Sequence, residues 1–183
     1  MTLYLAAVGP VAAQPVGWLE TAAAEWFPFP VARLAPLPIP PHAYDPARRQ
    51  YQSPELMKAL SRAAPRDTAR ILGITEADLS IPVLSFLFGQ AQLDGPVALI
   101  SLSRLRQEFY GLPPDEPLLR ERAVKEMLHE LGHTFGLIHC SDAECSMSLS
   151  TDVSLVDSKH ERYCPRCAAH LAHRFGALAG EKV

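Results

Sequence analysis

The residues most capable of chemistry lie in one short segment, residues 129–139, which reads HELGHTFGLIH. His129 and His133 are four residues apart, so one face of a helix would carry both imidazoles to a single metal ion. Gly136 tolerates a positive φ and can end that helix in a sharp turn, which would return His139 to the same ion. Three protein ligands leave a coordination place for water, which is typical of a catalytic zinc rather than a structural one.

Glu130 directly follows the first histidine, rotated about 100° around the helix, so it should face the water rather than the metal. A carboxylate in that position can take a proton from zinc-activated water and later pass it to a leaving amine. The segment therefore predicts hydrolysis of peptide bonds, with Glu130 as general base and acid. A zinc-stabilised binding protein with an intact but idle site would keep the same residues, so this alternative stays open.

The four cysteines all lie in the last quarter of the chain, at Cys140, Cys145, Cys164 and Cys167. Their pattern is CxxxxC, a gap of 18 residues, and then CxxC. Two close pairs of thiolates can supply a tetrahedral structural zinc, although two disulfides or buried free thiols remain alternatives. We therefore expect two Zn²⁺ per chain, one catalytic and one structural, coupled by the single peptide bond between His139 and Cys140.

Composition limits the other functions. The chain has 183 residues, a net charge of −3 and no apolar run near the roughly 20 residues that cross a bilayer. We expect a peptide or protein substrate, no nucleic acid, no membrane and no predicted oligomer. A nucleic-acid module built on the four-cysteine zinc is a weaker alternative, for which Arg162, Arg166 and Arg174 would supply positive charge.

The start of the chain is apolar but does not resemble a signal peptide. Residues 1–13 contain no Lys or Arg, and Gly9-Pro10 interrupts the apolar run early. We therefore interpret residues 2–8 as a buried strand and expect a cytoplasmic protein.

The chemistry-bearing segment needs a rigid helix to hold it. Asp115 can cap such a helix, with Pro117 in its first turn. An apolar stripe at helical spacing, consisting of Val124, Leu128, Leu131 and Phe135, predicts that one face of the helix packs inward.

The remaining elements follow from apolar runs and breakers. Ser53-Pro54 predicts a serine N-cap followed by proline at the first helical position. Asp94-Gly95-Pro96 predicts a turn between two antiparallel strands. The pattern predicts helices over 16–26, 55–63 and 67–72, an edge strand over 31–37, a loop over 44–51, and strands over 81–91 and 97–102.

The second half of the chain resembles the archaemetzincins. The resemblance rests on HELGHTFGLIHC at residues 129–140, Cys145, the pair Ser146-Met147, and the CPRC segment from Cys164 to Cys167. It implies an α+β, single-domain zincin/metzincin-like fold, with a twisted mixed β-sheet, an antiparallel edge strand, an active-site helix and a C-terminal helical part. Residues 1–183 would form this domain, with residues 1–128 providing the sheet, the helices and the start of the active-site helix, and residues 129–183 the zinc-binding motifs and the C-terminal helix.

The resemblance also assigns a supporting role. Met147 would form a hydrophobic floor beneath the catalytic zinc. Some metzincins have a tyrosine two residues later that assists the oxyanion, but Leu149 occupies that position here, so no such role is expected. Asp157 and Lys159 fall between the cysteine pairs, and we interpret them as part of a solvated loop.

Overall fold

The computed structural model describes residues 1–180 of the chain. Its strands, in chain order, are β1 (Thr2–Ala7), β2 (Val31–Arg33), β3 (Tyr44–Asp45), β4 (Gln50–Gln52), β5 (Thr68–Thr75), β6 (Leu79–Ile81), β7 (Leu84–Leu87), β8 (Gly89–Ala91) and β9 (Val97–Ser101). Its α-helices are α1 (Ala13–Trp26), α2 (Ser53–Ala63), α3 (Glu116–Thr134), α4 (Val153–Ser158) and α5 (Pro165–Gly180). Short 3-10 helices cover Pro41–Ala43, Ser103–Leu105 and Gln107–Tyr110.

The main sheet has five strands in the order β2-β1-β5-β9-β8. The first four are parallel, and β8 pairs antiparallel with β9 at the edge. Four further strands form a second, separate sheet in the order β3-β4-β6-β7. The predicted mixed sheet with an antiparallel edge strand is therefore confirmed, whereas the second sheet was not anticipated.

The sheet is buried on both faces, as expected for parallel strands. In β5, Leu72 contributes to the core that also contains Leu128 and Leu131 of α3. Its neighbour Ile71 contributes to the core on the other side, where Leu56 of α2 packs. Successive side chains of a strand point to opposite faces of the sheet. The apolar residues of β5 therefore pack alternately against α1 and α3 on one face and against α2 on the other.

Two predictions for the middle of the chain were wrong. Residues 67–72 were expected to form a helix but begin β5, because this apolar run is buried on both faces of the sheet. Residues 81–91 were expected to form one buried strand but are divided among β6, β7 and β8. Leu84 is exposed at the start of β7, since this part of the run faces a cleft instead of a core.

Smaller corrections concern element ends. The loop expected over 44–51 contains the short antiparallel pair β3 and β4. Ser53 is the first residue of α2 and not its cap, because its hydroxyl donates to the side chain of Gln90.

The helix predicted over 16–26 begins three residues earlier as α1. The edge strand predicted over 31–37 is only β2, with Leu37 forming a separate bridge to Val8. The strands over 2–8 and 97–102 are confirmed as β1 and β9, each one residue shorter.

The C-terminal helix packs against the end of α3 through aromatic rings. Phe175 of α5 lies edge-on to Phe135, Phe27 and Phe29, with ring centroids 5.0–6.1 Å apart. These contacts fix α5 beside the segment that follows the active-site helix. Within residues 1–180, no helix is both long enough and apolar enough to cross a bilayer.

Candidate active site

The helix α3 is held rigidly at both ends. Asp115 is its N-cap, and a carboxylate oxygen accepts from the N–H of Leu118 at 2.9 Å, as the sequence predicted. The predicted apolar stripe is buried along its whole length, and Phe135 closes the C-terminal end. The cap and the buried stripe therefore anchor the helix, and its Glu126, His129, Glu130 and His133 line a cleft.

Three histidine side chains converge at the C-terminal end of α3. The Nε2 atoms of His129 and His133 are 3.1 Å apart. His139 joins them, with one ligand atom from each of the three residues lying within 4.8 Å of the others. Gly136 makes this return possible, because its φ of 87° lies in the left-handed region. The three rings that the sequence singled out are therefore brought together.

Backbone carbonyls orient two of the rings. Nδ1–H of His129 donates to the carbonyl of Ser146 at 2.8 Å, and Nδ1–H of His133 donates to the carbonyl of Leu137 at 2.7 Å. A carbonyl only accepts, so each neutral ring must carry its proton on Nδ1 and keep its Nε2 lone pair. Both lone pairs are thereby available at the centre of the cluster, as a metal site requires.

The electrostatic environment keeps the three imidazoles neutral. Burial lowers the pKa of His129 well below its ordinary value, and the nearby Lys159 cation lowers it further. Burial also lowers the pKa of His133 and of His139, and Lys159 acts on both in the same direction. Neutral rings with free Nε2 atoms are the form that binds Zn²⁺, so these residues fit a three-histidine metal site.

Glu130 lies beside the cluster, buried against β8. A Cβ atom at Gly89 would come within 2.6 Å of the Glu130 side chain, so the absence of a side chain there lets the strand and the carboxylate approach closely. Burial raises the pKa of Glu130 well above its ordinary value, the Glu126 charge raises it further, and Lys159 opposes both. A carboxyl group whose pKa is shifted toward neutrality can both accept and release a proton.

The cleft in front of these residues has a volume of about 810 Å³. One wall is apolar and comes from β7, β8 and the exposed Ile138. The segment Leu149, Ser150 and Thr151 also lines the cleft. Glu126, Glu130 and Lys159 are among the lining residues as well, so the cleft combines apolar and ionisable side chains.

The four cysteines form a second cluster, with their sulfur atoms within 4.8 Å of one another. Cys140 Sγ and Cys164 Sγ are 3.8 Å apart, and all four thiols are free. A tetrahedron with Zn–S bonds of about 2.3 Å has sulfur atoms about 3.8 Å apart, whereas a disulfide requires about 2.05 Å. The cluster therefore fits a four-cysteine metal site and not a disulfide pair.

One of these thiols is more acidic than an ordinary cysteine. Burial raises the pKa of Cys140, but hydrogen bonds from the N–H of Asp142 and from Arg166 outweigh it and lower the pKa to about 7. Thiolate is the form that binds zinc. The N–H of Cys140 donates to the carbonyl of Met147 at 2.9 Å. Met147 directly follows Ser146, whose carbonyl orients His129, so the cysteine cluster and the histidine site share this segment.

Met147 is completely buried beneath the active-site helix. A Cβ atom at Gly132 would collide with its sulfur, so the glycine permits direct contact between the helix and the thioether. Leu149 is half exposed and lines the cleft, and among residues 1–180 no tyrosine is part of that lining.

The sequence did not identify the charged residues under the helix. Lys159 was interpreted as part of a solvated loop, but it is only 2% exposed, and its Nζ lies 3.6 Å from Glu126 Oε1. Asp157 belongs to α4 and forms two hydrogen bonds with the buried Arg122. Helical spacing could have indicated Glu126, which lies four residues before Glu130 and three before His129 on the same helix.

Each of the three arginines that suggested a nucleic-acid surface has an ion-pair or hydrogen-bond partner within the protein. Arg162 pairs with Glu144, and Arg174 pairs with Asp94. Arg166 donates to the sulfur of Cys140.

Comparison with known proteins places these features in one family. Residues 38–173 match the model of Peptidase family M54. The archaemetzincin of Methanocaldococcus jannaschii is 46% identical over 141 residues, covering 77% of this chain and 76% of that protein. The archaemetzincin of Pyrococcus furiosus is 47% identical over 137 residues, covering 74% and 71%.

Solved structures agree with this match. The crystal structure of archaemetzincin from Methanopyrus kandleri superimposes with a TM-score of 0.82 at 36% identity, covering 96% of each chain. The archaemetzincin of Archaeoglobus fulgidus, complexed with malonate, gives a TM-score of 0.80 at 34% identity, covering 93% of this chain and 99% of that one. The predicted fold class is therefore confirmed.

Proposed function

This chain belongs to Peptidase family M54 and is a zinc metallopeptidase, and we propose that His129, His133 and His139 hold its catalytic zinc while Glu130 moves the protons of the reaction. A zinc ion on these three nitrogens would supply Lewis-acid chemistry, lowering the pKa of water and polarising a carbonyl. The observation that carries the proposal is the convergence of three neutral imidazoles, two of them oriented by backbone carbonyls, beside a buried carboxylate.

Glu130 is placed to act as base and then as acid. Its carboxylate would take a proton from the attacking water and later deliver it to the nitrogen of the departing amine. Burial against Gly89 holds the carboxylate in one position and excludes bulk water from one side. Burial raises the pKa of Glu130, which favours its taking up the proton of the attacking water.

The substrate would lie in the cleft as an extended peptide. The edge strand β8 lines the cleft, and within residues 1–180 it pairs only with β9, so its outer edge is available for backbone hydrogen bonds. Added-strand binding of this kind supplies affinity through the main chain and leaves specificity to side-chain pockets.

A second zinc on the four cysteines would have a structural role. With four protein ligands it would leave no place for water, and it would fix the segment that begins at Cys140. His139 is the preceding residue, so the direction of its ring depends on that anchor.

The test is hydrolysis of a peptide library by the zinc-loaded protein and by Glu130→Gln, which keeps the size of the side chain. We expect the variant to lose at least about 100-fold in turnover while it keeps its zinc content, because general acid–base catalysis typically contributes about 10²–10⁴-fold. Turnover that survives in the variant would contradict the role of Glu130. A wild-type protein that binds zinc and peptides but cleaves none would indicate the binding-protein alternative.

A further inference from the structure

A second groove borders the edge strand β8, on the face of the main sheet that packs against α2 and not against α3. It has a volume of about 370 Å³, and α2 and β8 supply most of its lining. Gln90 and Ala91 line both this groove and the active-site cleft, so the two open spaces meet around the edge strand. A substrate laid along β8 would therefore border both of them.

The hydrogen bonds of β8 show which of its backbone groups are free. The carbonyl of Phe88 and the N–H of Gln92 both bond to β9. In an antiparallel pair every second residue bonds to the same neighbouring strand. Gly89 and Ala91 therefore direct their N–H and C=O groups to the outer edge, where an added peptide strand would pair with them.

The side chains of β8 alternate between the cleft and the groove. Gly89 lies against Glu130 on the cleft side, and Ala91 packs on the core shared with α3. Gln90 points the other way, where its side chain accepts a hydrogen bond from Ser53 of α2. Side chains of residues paired across two strands lie on the same face of a sheet. The substrate residue opposite Gln90 would therefore extend its side chain into the groove, whereas its two neighbours would face the cleft.

The groove offers positive charge and hydrogen-bond donors. Lys58 and Arg62, one helical turn apart on α2, are exposed and line it, and no carboxylate among residues 1–180 does. Lys58 pairs with Glu55 at 2.7 Å, but its ammonium group has two further donors. Arg62 has no ion-pair partner within the described part of the chain. The side-chain carbonyl of Gln90 is already bonded to Ser53, so its amide keeps the NH₂ group for another acceptor.

We propose that Lys58, Arg62 and Gln90 form a specificity subsite that selects an acidic side chain, glutamate or aspartate, at the substrate position opposite Gln90. The inference rests on the peptidase function proposed above and names the substrate class of that site. A carboxylate in the groove would accept from the ammonium, the guanidinium and the amide, whereas a cationic side chain would be repelled. Because these charges lie near solvent, the preference should be moderate and should decrease with salt.

The experiment measures binding of peptides whose register is fixed by the metal. Zinc-loaded Glu130→Gln protein is titrated with short peptides that carry a zinc-chelating hydroxamate, at the carboxyl end in one series and at the amino end in the other. Glutamate is placed at each position in turn and compared with glutamine, which has the same shape but no charge. We expect glutamate to bind at least about threefold more tightly at one position, or at positions two apart, at low ionic strength. The difference should decrease as the ionic strength rises from about 0.01 M to about 0.15 M.

Matched variants in the same background identify the cations responsible. Lys58→Gln combined with Arg62→Gln removes both charges of the groove, and we expect it to abolish the preference for glutamate. Arg62→Gln alone should reduce the preference. The control is Arg66→Gln, which makes the same change of net charge at an exposed arginine outside the groove and should keep the preference. Zinc content and circular dichroism establish that each variant is folded.

The outcomes separate the two proposals. Equal binding of glutamate and glutamine at every position, a preference at consecutive positions, or a preference that Arg66→Gln weakens as much as Arg62→Gln would overturn the subsite. Hydrolysis of the same sequences without the hydroxamate is measured with the wild-type protein. A glutamate preference without hydrolysis would support the subsite and refute the peptidase mechanism, and hydrolysis without the preference would do the reverse.

Discussion

The buried pair of Glu126 and Lys159 allows a quantitative test of the electrostatics beneath the active-site helix. The perturbation is Lys159→Met, which removes the only cation within 4 Å of the glutamate among residues 1–180. Removing one partner of a buried ion pair costs about 3–5 kcal/mol because the other charge remains uncompensated. Glu126 can escape part of this cost by protonation, since burial already raises its pKa, and we therefore expect a loss of about 3 kcal/mol at pH 8.

The assay is urea unfolding of the zinc-loaded protein, with Glu126→Leu/Lys159→Met as the matched control. Replacing both partners by apolar residues of similar volume is often nearly neutral, so the double variant should lose less than about 1 kcal/mol. If Lys159→Met costs less than the double variant, or if the costs of Lys159→Met and of a Glu126→Leu single variant simply add up to that of the double variant, the two charges do not compensate each other.

The same variant has a predicted pH dependence. The pKa of Glu126 is raised in the folded protein, by burial first, while Lys159 and then Lys125 lower it. Glu126 therefore destabilises the fold increasingly as the pH rises from its unfolded pKa through its folded pKa. Lys159→Met raises the folded pKa further, so the cost of the substitution should be smaller at pH 6 than at pH 8, by at most about 1.4 kcal/mol per pH unit. A cost that increases toward pH 6 would contradict this assignment.

Three further predictions concern the scaffold. Cys140→Ala should remove the second metal and also weaken zinc binding at the adjacent histidine site, and a two-site metal titration with an unchanged histidine site would exclude the coupling. Gly136→Ala should destabilise the protein by about 1–2 kcal/mol in urea, because φ is 87° there. The control for this substitution is Gly176→Ala, inside α5 with open space around it, which should stabilise by about 0.5–1 kcal/mol. Asp115→Ala should cost about 1 kcal/mol through loss of the N-cap, and no change in thermal unfolding would contradict that role.

The parts of the site that the sequence predicted are those where local spacing determines geometry. His129 and His133 converge because they are one helical turn apart, and His139 returns because Gly136 can adopt a positive φ. The helix cap at Asp115 and the antiparallel pairing across the turn at Asp94-Gly95-Pro96 were predicted for the same reason. Each depends on a few neighbouring residues.

The parts that could not be predicted depend on contacts between distant segments. Residues 67–72 were predicted to be a helix, but the segment begins a central strand, in which the guanidinium of Arg70 is buried over the ring of the distant Phe135 at 4.1 Å. Lys159 looked like a residue of a solvated loop because nothing in its local sequence indicates Glu126, 33 positions earlier. Long-range packing thus decides both strand identity and the charge beneath the site.

The central claim is tested most directly by crystallography of the zinc-loaded protein with anomalous scattering at the zinc edge. We predict one zinc about 2.0–2.1 Å from the Nε2 atoms of His129, His133 and His139, with a coordination place free of protein, and a second about 2.3 Å from the four cysteine sulfurs. A fourth protein group on the histidine zinc, or three rings that do not share one ion, would contradict the hydrolytic function proposed for this site.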